Sequence, residues 1–291
     1  MLILIADAFD PSLPDKLRKL GEVTDDAKRL AEADIVLVRS KTKCTREYID
    51  SAPRLKMIIR GGVGLDNIDQ KHAKEKGIKV LNTASASSIA VAELAMAFML
   101  AVPNRLIEAH NSMQEGKWLK KEIKRTELFG KTLGLVGIGN IGTEVARRAK
   151  AFGMDVIAFD PIVKKHDIAR LVGSVDEIWK AADYISFHVP LVDSTRGMVN
   201  AAAIDKMKKG VIIVNTARGG CIVEADMAKA LEAGKVAAYA TDVWSSDPPP
   251  ADSPLLKAPN VIKAPHIGAS SKENLLRIGD VVLEILAKEK P

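Results

Sequence analysis

Short β-branched, apolar runs alternate along the chain with charged stretches of helical periodicity. The runs are Leu2–Ala6, Ile35–Arg39, Met57–Arg60, Lys79–Leu81, Thr132–Gly137, Asp155–Asp160, Tyr184–Val189, Val211–Thr216, Ala237–Val243 and Val261–Ala264. Runs that are apolar throughout, rather than at every second position, fit parallel strands buried on both faces. Strand–helix alternation from end to end predicts an α/β fold of doubly wound parallel sheets. The runs form one group before residue 82 and another from Thr132 on. Between them lie a helical block, Ser88–Gly116, and a Lys-rich polar stretch, Glu115–Gly130, that carries Trp118. This pattern predicts two domains with a boundary near residue 100: residues 1–98 with 269–291, and residues 99–268. In that division the last helix, Ser271–Lys288, returns to the first domain.

Composition excludes several classes. The chain has 291 residues, enough for two ordinary domains, and its 47% apolar content rules out a disordered chain. Two cysteines, Cys44 and Cys221, cannot build a disulfide framework, which points to a reducing, cytoplasmic setting. No Cys/His cluster has ligand spacing, so no metal is expected. The start, Met1–Asp7, is too short and too uncharged for a signal peptide. The longest apolar stretch, Ile89–Val102, is interrupted by Glu93 and falls short of the ~20 residues of a membrane span, so it reads as a buried helix. Net charge is +6, but Lys and Arg are spread along the chain and form no basic block. Small anionic partners fit this balance, whereas nucleic acid and membrane surfaces do not.

One loop carries specific chemistry. Gly137-Ile-Gly139-Asn-Ile-Gly142 follows a strand and opens a helix expected over Thr143–Phe152. Gly137 permits the tight turn, Gly139 lets backbone N–H groups approach a pyrophosphate, and Gly142 lets helix and strand pack closely. The helix N-terminus offers its free N–H groups to the phosphates. The next strand ends in Asp160, about 20 residues on, where a carboxylate accepts from ribose hydroxyls and repels a 2′-phosphate. Strand, spacing and acid together predict an NAD site, with Asp160 as a plain helix cap before Pro161 as the other reading.

Acid–base candidates sit at later strand ends, where ligands of doubly wound sheets bind. His266 stands between Pro265 and Gly268 after the run Val261–Ala264, and an imidazole exchanges protons near neutrality. From the residues alone, a catalytic and a structural role for it are both open. Arg218 follows Val211–Thr216 and can grip a carboxylate bidentately, or be a surface arginine beside a flexible turn. Asp242 and Asp247 follow the next strand, and either can orient His266, with Pro248–Pro250 stiffening the segment after Asp247. His188 ends the run Tyr184–Val189, lining a ligand or packing beside it. His72, His110 and His166 lie in polar contexts and are expected to be exposed and without function, and Cys221 is expected to be a packed thiol.

With these residues in place the chain resembles the D-isomer-specific 2-hydroxyacid dehydrogenases, nearly end to end. The resemblance rests on Arg60-Gly-Gly-Val-Gly-Leu-Asp-Asn-Ile-Asp69, Val91–Leu94, Glu115–Trp118, Glu127–Gly134 and the glycine loop. It continues in Phe152–Met154, Phe159–Pro161, Ala217–Gly220, Thr241–Trp244 and Pro265–Ser271. Within the family it points to the phosphoglycerate-oxidising branch. It implies a flavodoxin-like substrate domain with an inserted Rossmann domain, a cleft between them, NAD as cofactor, and a homodimer in which the helix Ile89–Val102, with Met96, Phe98 and Met99, is core or a dimer face.

The resemblance also assigns roles. The triad becomes Arg218, Asp247 and His266, with His266 as acid–base and Asp247 in the place of the usual glutamate. Cofactor contacts fall on Gly137, Gly139, Asn140, Ile141, Gly142, Asp160, His188, Val189, Pro190, Thr195, Thr216, Ala217, Arg218, Asp242, His266 and Gly268. Substrate contacts fall on Arg60, Gly62, Val63, Gly64, Ser87, Arg218 and His266. The amides of Gly62–Gly64 are expected to form an anion nest and Arg60 to meet a phosphate, with Lys120 or Lys121 of a partner chain adding to it. Ser87 replaces a usual asparagine, and no C-terminal regulatory domain is expected. A glyoxylate or hydroxypyruvate reductase shares all of this chemistry, and an NAD-sensing corepressor-like protein keeps the triad without turnover. A Rossmann methyltransferase does not call for Arg218 and His266.

Overall fold

A computed structural model describes residues 1–289. The chain divides into two compact units, Met1–Ala90 with the segment from Ala269 on, and Val91–Gly268.

The first unit is built on five parallel strands: β1 (Leu2–Ile5), β2 (Glu22–Thr24), β3 (Ile35–Val38), β4 (Met57–Arg60) and β5 (Lys79–Asn82). Their spatial order is β2-β1-β3-β4-β5, the flavodoxin-like arrangement. Ile35–Val38 is buried at every position, as a strand covered on both faces must be. One face packs Ile3, Ile35, Leu37, Met57 and Ile59 against Leu13 and Leu17. The returning helix Lys272–Glu289 adds Ile278, Val282 and Leu286 to that layer. Each such side chain contributes about 1.5–3 kcal/mol on full burial, which ties the chain's end into this unit.

The second unit carries seven parallel strands: β6 (Thr132–Val136), β7 (Asp155–Phe159), β8 (Arg170–Leu171), β9 (Tyr184–Phe187), β10 (Val211–Asn215), β11 (Val236–Thr241) and β12 (Val261–Lys263). Their order is β12-β11-β10-β9-β6-β7-β8. Succession runs outward one way from β6 to β8 and the other way from β9 to β12, so the order reverses between β6 and β9. That reversal opens a crevice at the carboxyl ends of the strands, the place where doubly wound sheets take ligands.

Three sequence expectations change. The unit boundary falls at Ala90, earlier than 98, because Ala92, Ala95, Met96, Phe98 and Met99 pack into the core of the second unit. Those methionines and Phe98 are therefore core and are not available as a dimer face. The expected single block Ser88–Gly116 is two helices, Ser88–Ala101 and Leu106–Gln114, bent by 65°. Pro103 lies in the break and Arg105 adopts φ 51°, which ends the helical path. No single helix among the described residues is long and apolar enough to cross a membrane.

Candidate active site

The glycine loop leaves the carboxyl end of β6 and enters the helix Asn140–Ala151. Gly137 has φ +91°, and a Cβ there would lie 2.5 Å from the carbonyl oxygen of His188. A Cβ on Gly142 would lie 2.5 Å from the oxygen of Gly137, so neither position admits a side chain. Gly139, the N-cap of the helix, has nothing within 4 Å of an added Cβ. The loop is thus packed from beneath and open above, at a helix end whose first amides lack intrahelical partners.

Asp160 follows β7 directly. Its Oδ2 accepts the amide of Ile138 at 3.0 Å, and its Oδ1 accepts those of Ile162 at 2.9 Å and Val163 at 3.2 Å. Burial alone would raise this carboxyl, but the three amides and the nearby Lys164 outweigh it and hold it below the usual carboxylate range. An anion is therefore fixed beside the glycine loop. Just beyond the carboxyl end of β10, the Thr216 hydroxyl is buried with no hydrogen-bond partner among the described residues. An open cradle, a helix N-terminus, a fixed carboxylate and an orphaned hydroxyl are what a dinucleotide requires, and these residues fit it.

Three adjacent strands supply the rest. Arg218 follows β10, and its turn is pinned from within: buried Asn215 accepts the amide of Ala217 at 3.0 Å and donates to the carbonyl of Arg218 at 3.0 Å. Tyr239 of β11 stands behind Asn215, its hydroxyl 3.3 Å from Nδ2. His266 follows β12 and lies in the left-handed region, φ 57°, which costs a non-glycine residue about 1–2 kcal/mol. The surroundings hold it there. The Trp244 indole donates to the carbonyl of Ala264 at 3.0 Å, and Asp242 accepts the amides of Ile267 and Gly268, both at 2.7 Å. The Oδ2 of Asp247 meets the Nδ1 of His266 directly.

These contacts decide the question left open between two acids. Asp247 touches the imidazole, whereas Asp242 holds the backbone beyond it. Burial raises the Asp242 carboxyl, against the two amides that favour its charge. Asp242 was expected to contact cofactor, but both its oxygens are taken by the His266 turn. The Thr195 hydroxyl donates to the carbonyl of Pro190 at 2.6 Å and accepts the amide of Val192 at 2.9 Å within its own loop. His188 is half-buried: its Nε2 lies 3.0 Å from the hydroxyl of Ser186, and desolvation of the ring pushes its pKa down to about 3, so it is neutral.

Asn140, Ile141, Val189, Pro190 and Ala217 lie on the same strand-end edge as the glycine loop and Arg218. Sequence reasoning did not find Asn215, Tyr239 or Trp244, whose side chains act through contacts between neighbouring strands. His72 and His166 were expected to be exposed. His72 is buried and bonded to Asp50 at 2.9 Å, and His166 accepts the amides of Ile168 and Ala169.

In the first unit the Arg60 guanidinium folds over the Gly61–Gly64 loop, where a Cβ on Gly62 would lie 1.8 Å from Nη1. The amide of Gly62 is donated to the Arg60 carbonyl at 2.9 Å, so the expected nest shrinks to the amides of Val63 and Gly64. Ser87 was expected to contact substrate. It is fully buried, its hydroxyl 3.3 Å from Nδ2 of Asn274 on the returning helix.

Residues 96–268 match the family described as D-isomer specific 2-hydroxyacid dehydrogenase, NAD binding domain. The chain belongs to this family. A hydroxypyruvate reductase from Thermotoga maritima is 50% identical over 90% of this chain and 86% of its own length. A D-3-phosphoglycerate dehydrogenase from Methanocaldococcus jannaschii is 44% identical over 98% of this chain, which spans only 57% of that relative. The crystal structure of an Aquifex aeolicus D-lactate dehydrogenase complexed with NAD and lactic acid superposes with a TM-score of 0.88 at 29% identity, covering 99% of this chain and 94% of that one. Family membership makes the chain an NAD-dependent oxidoreductase of the D-2-hydroxyacid dehydrogenases, and the matched residues include the glycine loop and Asp160.

Proposed function

We propose that this D-2-hydroxyacid dehydrogenase oxidises D-3-phosphoglycerate to 3-phosphohydroxypyruvate reversibly, with Arg218, Asp247 and His266 as its catalytic residues. When bound, NAD supplies the hydride acceptor at nicotinamide C4, and the protein supplies orientation and charge. The Nε2 of His266 takes the C2 hydroxyl proton on oxidation and returns it on reduction. Asp247 keeps Nδ1 protonated, which leaves Nε2 as the exchanging atom, and stabilises the imidazolium that forms. Arg218 holds the substrate carboxylate and polarises the C2 oxygen. In the first unit, the amides of Val63 and Gly64 are the candidates for an anion and Arg60 is the candidate for the phosphate.

The observation that carries this reading is the direct contact of Asp247 with the Nδ1 of a histidine held at the carboxyl end of β12, on the same strand-end edge as Arg218 and the glycine loop. The phosphate assignment is supported by Arg60 folded over Gly62. A second reading, hydroxypyruvate reductase, is favoured by the Thermotoga maritima relative, which is both more identical and matched over more of its own length.

Initial rates with NAD against D-3-phosphoglycerate and D-glycerate, and with NADH against hydroxypyruvate, separate the two. A preference for the phosphorylated acid that is lost in Arg60→Ala supports the first reading. Equal or better rates with the unphosphorylated acid support the second. The Leu106, Ile107, Met113 and Trp118 side chains are exposed, and we read this apolar surface as the contact of a homodimer, which size-exclusion chromatography with light scattering tests.

A further inference from the structure

Asp247 sits in an irregular connection between β11 and the short helix Pro254–Lys257, and residues 245–248 are all exposed. No strand or helix fixes this segment, yet its carboxylate must stay within hydrogen-bond reach of His266. Asp is one methylene shorter than Glu, about 1.5 Å less reach, while the useful N···O window is about 0.5 Å wide. A loop that wanders by 1 Å breaks the contact.

Both ends of the segment are tied to one side chain. Glu224 opens the helix Glu224–Glu232, which follows the Gly219–Cys221 turn just after Arg218. Its Oε1 accepts the backbone N–H of Ser245 at 3.3 Å, and its Oε2 accepts the hydroxyl of buried Ser253 at 2.5 Å. We propose that Glu224 is a positioning residue that clasps the Ser245–Ser253 loop so that the short Asp247 side chain reaches Nδ1 of His266. The same β10-to-helix connection thereby sets both the arginine and the loop of the orienting carboxylate. The inference rests on the roles proposed above for Asp247 and His266, and it adds a residue that acts only through them. An ordinary structural role is also open to an acid in the first turn of a helix, where it offsets the helix dipole. Glutamine separates the two roles, because it keeps an oxygen for Ser245 and a polar group for Ser253 but carries no charge.

The test compares Glu224→Ala, Glu224→Gln, Ser253→Ala and Asp247→Ala with the intact chain. The ring nitrogens and ring N–H protons of His266 are followed by NMR in the free protein at a pH where the imidazole is neutral. An Nδ1–H held by Asp247 gives a protected, downfield ring proton, and Asp247→Ala defines its loss. The clasp predicts that Glu224→Ala loses this signal as Asp247→Ala does, that Ser253→Ala weakens it, and that Glu224→Gln keeps it. In turnover, Glu224→Ala should lower kcat ~10- to 100-fold with NADH affinity unchanged, the size expected for a misplacement of about 1 Å. A retained signal in Glu224→Ala overturns the proposal, as does a Glu224→Gln protein as impaired as Glu224→Ala. Should Glu224→Ala not fold, an undiminished signal in Ser253→Ala overturns it alone. Lack of turnover by the intact chain with any 2-hydroxy or 2-oxo acid would overturn the proposed function instead, since the NMR measurement needs neither cofactor nor substrate.

Discussion

The Oδ2 of Asp242 accepts the amide of Gly268 at 2.7 Å across a separation of 26 residues, while Oδ1 accepts that of Ile267 at 2.7 Å. One buried carboxylate thus holds two successive N–H groups immediately beyond His266, whose backbone would otherwise leave φ 57°. Asn at this position offers one acceptor and turns its NH2 toward the other amide. Asp242→Asn is expected to destabilise the fold by about 1–3 kcal/mol and to lower kcat ~10- to 100-fold. Thermal unfolding and steady-state rates check it, and a variant unchanged in both contradicts the clamp.

His266→Ala should lower turnover ~10²–10⁴-fold while NADH binding, followed by fluorescence titration, persists. Near-normal turnover with intact binding would remove His266 from proton transfer.

The glycine loop gives a contrast within one motif. A methyl on Gly142 would meet a carbonyl oxygen at 2.5 Å, whereas one on Gly139 meets nothing within 4 Å. Gly142→Ala should therefore unfold at lower temperature, by about 1–3 kcal/mol of overpacking. Gly139→Ala should keep its melting temperature and lose NADH affinity, because its methyl occupies space that only a pyrophosphate needs. Equal NADH affinity in Gly139→Ala and the intact chain would put the phosphates elsewhere.

The long buried strands were legible because apolar runs bounded by glycine and charge have one economical fold. Two edge strands were not: Glu22–Thr24 and Arg170–Leu171 have three and two residues, too short for any period to show. The catalytic candidates were legible as residue types at strand ends, which parallel topology brings to one edge. Their supports were not. Asn215 beneath Arg218, Trp244 beneath Ala264 and Glu224 beneath Ser253 act across 3, 20 and 29 residues through contacts that exist only after folding. Ser87 shows the converse error, since a position inferred from a motif carries no information on which way the side chain turns.

Asp160 is anionic and anchored by three amides, so it should reject a 2′-phosphate. Asp160→Ala is expected to shift the NAD-to-NADP ratio of kcat/KM toward NADP by ~10- to 100-fold, the range of one or two charged hydrogen bonds. Because its folded pKa lies below the unfolded value, it stabilises the fold at neutral pH. That contribution disappears as pH falls through the folded value, so the acid limb of the intact chain's stability should be steeper than the variant's.

His188 gives a pH dependence of larger span. Burial holds it neutral in the fold, with a pKa of about 3 against 6.5 for a free imidazole. Between those values the unfolded chain binds a proton that the folded chain does not. Stability from this group is therefore complete above about 6.5 and is lost as pH falls toward 3. The slope approaches about 1.4 kcal/mol per pH unit. Melting temperatures measured from pH 7.5 down to 4.5 should fall more steeply for the intact chain than for His188→Asn, which cannot be protonated in either state. With His266 in its proposed role, His188→Asn should also leave the pH dependence of turnover unchanged. Parallel melting curves for the two proteins would mean that the imidazole takes up its proton inside the folded chain.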